Sequence, residues 1–470
     1  MLASIPPGEL IWYGLEWVIR IGALAVVPLR RTPAAARAWL LLIFFLPVPG
    51  LLLFLAIGSP RFPAWRRERF KALAPWLAEL ARRQRAAFPP ALGAAGPIAA
   101  LAEGLGQMTA CGGNSAELLD DYDATIARLI ADIDGARQSV RITAYIFADD
   151  AVGQAVAGAL GRAVARGLAV RVMFDPVGSA RWRKGTRAML AREGVAFHEA
   201  LPFRLLRGRT RRDMRNHRKL YVIDGAIGYA GSQNIVARDF RPGVVNRELI
   251  VRVTGPVVAS MAALVDGDWS LETGDPPAPH AQLPGASGAA QLQLLPSGAA
   301  YPFDGFQTIL VWQLHQARDH VIIVTPYFIP DDDILSAMRS ASARRVRVDL
   351  VVSAVVDQWL VNLSQSSFYD ELLAAGVRIH RYRDYLLHAK ALCVDGEVGI
   401  VGSSNVDLRS FHLNEEASLI LYDRPSVARA EAILKGYVAG SDPIDLAQWR
   451  RRSLPRKLAE NAARLLNSLL

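Results

Sequence analysis

Cysteine is nearly absent, with only Cys111 and Cys393 in 470 residues. That scarcity excludes a disulfide-stapled secreted domain. The two thiols lie far apart in sequence and read as free, in a reducing compartment. Acid is in shorter supply than base: 44 Asp and Glu stand against 54 Lys and Arg, a formal net charge of +10. Long uncharged runs are scarce too. There is one clean one, which excludes a pure multi-span transporter. With 51% hydrophobic and 21% charged residues, the chain is also too apolar to be disordered. The length predicts two or three domains, since single cores stop growing at about 250–300 residues. Positive mean hydropathy together with basicity points to an anionic partner, either a phospholipid surface or nucleic acid.

The clean run spans residues 38–58. As one helix it would reach about 30 Å, the thickness of a hydrocarbon core. Pro47 and Pro49 would kink it, which membrane helices tolerate. An earlier run, residues 10–29, holds Glu16 and Arg20, four apart and able to pair on one helix face. Trp12 and Tyr13 sit near its end, as in an interfacial belt. No basic segment precedes this run and it is long for a signal peptide. The expectation is a transmembrane helical hairpin over residues 1–60, with an interfacial first helix as the alternative. Arg30, Arg31 and Arg37 lie in the connector. Arg61, Arg66, Arg67, Arg69 and Lys71 follow the second run. With both flanks positive, only a weak preference for a cytoplasmic body results.

Beyond residue 110 the pattern becomes alternating strands and helices. Residues 140–147 (VRITAYIF) and 169–174 (AVRVMF) read as buried strands, with a helix at 151–166 between them. The order returns later. Residues 321–328 (VIIVTPYF) match the first strand and 346–352 the second, and LLAAGVRIH matches LAREGVAFH. A repeat of about 170 residues is too long for a solenoid and means two homologous units. The expected fold is α/β: two tandem mixed sheets flanked by helices, facing each other. Expected boundaries are a basic juxtamembrane linker at 61–109, a first domain at 110–273, a Gly/Pro/Ala/Ser-rich linker at 274–298, a second domain at 299–445 and a basic amphipathic tail at 446–470.

The strongest signal closes each repeat. His217, Lys219 and Asp224 are followed by Gly231, Ser232 and Asn234. His388, Lys390 and Asp395 are followed by Gly402, Ser403 and Asn405 at the same spacing. Six identities by chance are on the order of 10⁻⁸ per start point at average residue usage. His and Lys two apart on a strand face the same side, and the apolar residues before the Asp form a buried strand that anchors them. The Gly-Ser-x-Asn turn brings a hydroxyl and an amide back towards the imidazole. One copy is a half-site for a phosphate, and two copies make a whole one. One His then attacks phosphorus while the other protonates the leaving oxygen, and the expected catalytic residues are His217, Lys219, Asp224, His388, Lys390 and Asp395. The lysines supply the positive charge, and no metal or other cofactor is expected. Each His needs an orienting carboxylate. The candidates are Glu248 and Glu415, which lie 31 and 27 residues after their histidines. His198, His280, His315, His320 and His380 read as ordinary surface or satisfied core residues.

These paired motifs resemble the phospholipase D superfamily, whose signature is HxKxxxxD in two copies. More closely the chain resembles bacterial cardiolipin synthases. The residues carrying that likeness are Asn216 to Lys219 with Val222 to Gly225, Thr325 to Phe328, Leu387 to Lys390, and Asn405 with Asp407, Arg409, Ser410, Asn414 and Glu415. The resemblance implies two phospholipase D-like domains and a phosphatidyl transfer from one phosphatidylglycerol to another through a phosphatidyl-histidine. It implies anionic lipid partners and a bacterial inner-membrane location. A lipid hydrolase or a transferase to another alcohol is the alternative. A phosphodiesterase or nuclease is a further one. The first repeat lacks the Asp-x-Arg-Ser block of the second.

Residues 204–219 carry eight basic residues and one acid, Asp213, and would draw anionic head groups to the site. Nucleic acid is not expected, because no aromatic interleaving accompanies the basic runs. In the tail, Leu458, Ala462, Leu465, Leu466 and Leu469 recur at helical spacing. That helix either lies on a membrane surface or packs on the catalytic body.

Overall fold

The computed structural model describes residues 7–31, 33–58, 62–202, 213–301 and 303–465. The chain forms two units, residues 1–63 with 203–214, and residues 64–202 with 215–470. The basic stretch 203–212 and the tail positions Leu466 and Leu469 lie outside the described residues.

The first unit holds α1 (Pro7–Arg30), α2 (Pro33–Phe45) and α3 (Pro47–Ile57). α1 is long and apolar enough to cross a membrane. Its two internal charges pair as expected, with Arg20 Nη2 3.0 Å from Glu16 Oε2. Arg20 also donates through Nε to the Phe44 carbonyl at 3.1 Å, in the last turn of α2. The second apolar run is not a single span. Pro47 lacks an N–H, so α2 stops at Phe45 and α3 starts anew. Thirteen and eleven residues at 1.5 Å each reach only about 20 and 17 Å, short of a hydrocarbon core. The three helices bury Val27, Trp39, Ile43 and Phe54 against one another. Leu10, Ile11, Trp17, Val18, Ile21, Leu24, Leu41, Phe45 and Leu52 remain exposed.

The second unit is built on one sheet of fifteen strands. In chain order these are β1 (Cys111–Leu119), β2 (Ser139–Ala144), β3 (Ala169–Phe174), β4 (Ala196–Glu199), β5 (Leu220–Ile223), β6 (Ile227–Gly231), β7 (Ile250–Thr254), β8 (Ala290–Ser297), β9 (His320–Val324), β10 (Arg347–Ser353), β11 (Arg378–Tyr382), β12 (Ala391–Val394), β13 (Val398–Gly402), β14 (Glu416–Leu421) and β15 (Ser441–Pro443). The order across the sheet is β15-β11-β10-β9-β12-β13-β14-β8-β1-β7-β6-β5-β2-β3-β4. Read outward from the centre, β1-β7-β6-β5-β2-β3-β4 repeats as β8-β14-β13-β12-β9-β10-β11. The duplication is therefore an approximate two-fold lying between the antiparallel pair β1 and β8. Within each repeat the outer strands run parallel through helical crossovers and the inner ones antiparallel. β9 is wholly buried and β10 is buried but for its first residue, which is why they read as continuous β-branched runs, whereas β4, β11 and β15 towards the sheet edges are partly exposed.

Two segments expected as linkers are structural. Residues 61–109 hold α4 (Ala64–Ala87) and α5 (Gly96–Gly106). Leu73, Leu77 and Leu80 of α4 enter the core, and Arg66 pairs with Glu272 at 2.5 Å with both side chains almost wholly buried. The 274–298 segment ends in β8, which joins the repeats. Its buried Leu292, Leu294 and Leu295 were obscured by the Gly/Pro/Ala/Ser-rich approach.

Asp224 and Asp395 do not approach the histidines. Each opens a turn in which it and the following glycine both have positive φ: 54° and 63° for Asp224-Gly225, 52° and 64° for Asp395-Gly396. This is the type I′ geometry that Asp-Gly favours. The Asp224 carboxylate accepts N–H groups of Arg137, Gln138 and Ser139 at 2.7–2.9 Å. That of Asp395 accepts those of Arg318, Asp319 and His320 at 2.8–2.9 Å. Each lies seven positions along the chain from its histidine, roughly 23 Å at strand rise, so it stands at the far end of the strand. Its work there is to tie the hairpin to the neighbouring strand's entry. Asp224→Ala and Asp395→Ala should each cost about 1–3 kcal/mol of stability. A lowered melting temperature with near-normal turnover by the folded fraction would be seen, whereas full inactivation of folded enzyme would return these residues to the site.

Candidate active site

The His-Lys pairs precede their strands. β5 begins at Leu220 and β12 at Ala391, and both are wholly buried. The lead-in to each pair is fastened to the opposite repeat. His217 N–H donates to the Glu415 carbonyl and Glu415 N–H to the Arg215 carbonyl, both at 2.8 Å. His388 N–H donates to the Arg247 carbonyl and Leu386 N–H to the Val245 carbonyl, also at 2.8 Å. Leu386–Leu387 and Asn246–Arg247 form a short parallel pair.

The orienting carboxylates cross over in the same way. His388 Nδ1 lies 2.7 Å from Glu248 Oε1, so Glu248 serves the histidine of the other repeat. His217 Nδ1 lies 2.9 and 3.0 Å from the oxygens of Glu416, not Glu415. The expected Glu415 role is thus corrected by one residue. Side chains alternate along an extended segment, so Glu415 points away to Arg218, 2.7 Å from its Nη2. Arg218 is 1% exposed and also bonds Asp268 and the Glu416 carbonyl. A usable signal lay in the sequence: Asn246-x-Glu248 and Asn414-x-Glu416 are the matching triplets.

Burial pulls both histidines down, His217 to about 4 and His388 to about 3, with the partner glutamates opposing. Burial tends to raise Glu248 and Glu416, but their histidine and lysine neighbours hold them below the usual carboxylate range. An ionised carboxylate only accepts, so each Nδ1 carries the proton and donates it. Nε2 is then an unprotonated lone pair at the cleft. Lys219 Nζ donates to the His217 carbonyl at 2.7 Å and Lys390 Nζ to the His388 carbonyl at 2.5 Å. Burial lowers these lysines to about 7 and about 8.

Both histidines line one cleft of about 340 Å³. Asn234 and Asn405 line it too. Ser232 and Ser403 act one step back. Ser403 Oγ donates to Glu416 Oε2 at 2.5 Å, and Ser232 Oγ is engaged with the Leu249 backbone. Several lining residues escaped sequence reasoning as site residues. Tyr145 stacks edge-on to His217 at 4.6 Å between ring centroids, and Tyr327 faces His388 at 6.5 Å. Their signal was Thr-x-Tyr after the first strand of each repeat. Asp407 and Arg409 enter from the second repeat's extra block, and Phe240 and Arg241 occupy the corresponding side from the first. Arg241 pairs with Asp357, which also accepts the Tyr327 hydroxyl at 2.6 Å, linking the repeats at the cleft. The amide oxygens of Asn246, Asn405 and Asn414 are buried without a partner among the described residues. Arg215, by contrast, is buried against Asp175 and the Leu201 carbonyl, so Arg215 and Arg218 of the basic segment are structural. His320 and His380 share Asp349 at 2.7 Å each, as satisfied core residues. Among the described residues no group of three His, Cys, Asp or Glu side chains is arranged to hold a metal.

The fold is shared with the crystal structure of phosphatidylserine synthase from Haemophilus influenzae, with a TM-score of 0.58 and 15% identity over 76% of this chain and 95% of that one. Two His-x-Lys half-sites on one duplicated mixed sheet define a phospholipase D-like protein. A family model described as cardiolipin synthase, PLD-like domain, matches residues 129–269 and 310–437. The chain is 34% identical to cardiolipin synthase A of Serratia proteamaculans and 34% identical to that of Salmonella arizonae, each over 97% of both chains. It belongs to this cardiolipin synthase family of phospholipase D-like proteins.

Glu248→Gln and Glu416→Gln should each lower kcat roughly 10²–10⁴-fold by releasing the histidine's tautomer and orientation. Glu415→Gln should chiefly cost stability, about 3–5 kcal/mol, by leaving Arg218 buried and underpaired. Equal kinetic losses for Glu415 and Glu416 would reject this division. Because the lysine cations are needed, kcat/KM should fall as pH rises through 7 to 8, where they lose their protons in the free enzyme. A bound phosphate favours the ammonium, so the alkaline limb of kcat should lie higher. A flat profile to pH 10 would rule the lysines out.

Proposed function

We propose that this chain is a membrane-associated cardiolipin synthase, joining two phosphatidylglycerol molecules with release of glycerol. The observation that carries the reading is the facing of two histidines in one cleft, each aligned by a glutamate of the opposite repeat and each beside a buried lysine. His217 Nε2 attacks the phosphorus of the donor lipid. The bond to glycerol oxygen breaks, and that oxygen takes a proton from His388 Nε2. The incoming anionic phosphate raises the histidines from these low values, so one of them is protonated at this stage. A hydroxyl of the second phosphatidylglycerol then gives its proton to His388 and attacks phosphorus, and the phosphorus–nitrogen bond breaks. The lysines balance the charge that develops on the non-bridging oxygens. His217 is assigned as nucleophile by resemblance to the family; the surroundings of the two histidines are nearly equivalent.

The cleft also suits the head group. The unpartnered oxygens of Asn246, Asn405 and Asn414 accept what glycerol hydroxyls donate. Arg241 and Arg409 add positive charge for an acceptor that carries its own phosphate. The outward apolar surface of α1, α2 and α3 supports a membrane anchor, because an aqueous protein rarely exposes so continuous a patch. In this reading the anchor sits in the bacterial inner membrane and the catalytic unit faces the cytoplasm.

Purified protein with phosphatidylglycerol micelles should yield cardiolipin and glycerol in equal amounts. Phosphatidic acid as the sole product would make it a hydrolase instead. His217→Ala and His388→Ala should each abolish transfer, by at least about 10³-fold, since neither half-site is complete alone. Substantial activity in either variant would overturn the paired mechanism.

A further inference from the structure

The C-terminal helix Leu454–Arg464 shows its apolar side to water. Leu454 is 68% exposed, Leu458 61% and Leu465, its C-cap, 84%. At about 100° per residue these three fall within roughly 40° of one another, so they form one stripe. The buried positions are Glu460 and Ala463, on the opposite side. Glu460 is 1% exposed and held by Arg452 at 2.9 Å and Arg456 at 3.0 Å. Arg464 lies over the Phe368 ring at 4.3 Å, and the helix packs along the helix Trp359–Ser366. A helix of an aqueous protein turns its leucines inward. Here a glutamate points inward and the leucines point out.

We propose that this stripe is a bilayer-docking surface that brings the cleft to an anionic phospholipid membrane. Two observations choose the occupant. Residues 450–465 hold six basic side chains and one acid, the buried Glu460; Arg450, Arg452 and Arg456 form ion pairs, and Arg451, Lys457 and Arg464 leave the segment with a surplus of positive charge next to the leucine stripe. That is the composition of interfacial helices on anionic lipid. The helix beneath also belongs to the cleft: Gln358 and Val361 line it, while Trp359, 71% exposed, and Val356, 43% exposed, stand beside them facing solvent. An exposed Trp beside the cleft suits the role of an interfacial anchor. The inference rests on a lipid substrate, as in the proposed function, and adds a second membrane contact besides α1 to α3. It serves to hold the cleft mouth against the lipid from which both substrates are drawn.

The native thiols allow a clean test in the full chain. Cys111 and Cys393 are buried, and burial pushes both up to about 12, so an introduced cysteine is labelled selectively. Leu458→Cys and, as control, the exposed Ala428→Cys carry an environment-sensitive fluorophore. The protein is reconstituted into vesicles of phosphatidylglycerol and phosphatidylcholine containing nitroxide-labelled acyl chains. The probe at 458 should be strongly quenched and the control scarcely so. Equal weak quenching at both sites overturns the proposal. Self-quenching that tracks protein density without nitroxide quenching overturns it in favour of a second copy of the chain. A Leu454→Ser, Leu458→Ser, Leu465→Ser variant should keep its melting temperature and its kcat/KM on short-chain soluble phosphatidylglycerol, yet lose about tenfold on vesicles. Equal rates on vesicles also overturn docking. If wild-type enzyme makes no cardiolipin while 458 is quenched, the reaction proposal fails and the docking surface stands.

Discussion

The crossed hydrogen bonds between His217 and Glu416 and between His388 and Glu248 are the constraint on which the site depends. Each histidine receives its carboxylate from the other repeat, and the backbone beside it pairs with that same foreign segment. Neither repeat contains a finished histidine by itself. The continuous fifteen-stranded sheet and the central β1–β8 pair are what hold the halves in register. The buried cluster of Arg218, Asp268 and Glu415 secures one of the crossings.

Burial then does the chemical tuning. Out of water, a neutral imidazole and an anionic glutamate are favoured over two charges without a substrate. The same desolvation brings the lysines down to about 7 and about 8, helped by the Lys390 charge at Lys219 and by the Arg241 charge at Lys390. A bound phosphodiester adds negative charge beside these buried groups and favours their protonated forms, so binding and activation are coupled.

Much of this was legible in the residues. Of the repeated motif, the His and Asn positions line one cleft, and continuous β-branched runs located the outer strands at 139–144, 169–174, 320–324 and 347–353 to within a few residues. The pairing of Glu16 with Arg20 followed from their spacing alone. The errors also have physical sources. Asp224 and Asp395 recur as faithfully as the histidines because a type I′ turn and three backbone donors require them, and recurrence does not distinguish architecture from catalysis. Glu415 and Glu416 are adjacent acids, and only the alternation of a particular strand decides which one turns inward. Residues 38–58 carry no charge, but Pro47 withholds a helical N–H and divides them.

Scarce cysteine, surplus base and one paired motif were local properties, and they pointed to the proposed class of chemistry: phosphate handled by two histidines and two lysines. Which carboxylate serves which histidine, whether the 274–298 segment is linker or central strand, and which side of the tail helix faces water were decided only by tertiary structure. Each depends on contacts between residues from tens to about 200 positions apart, and local spacing carries no record of them.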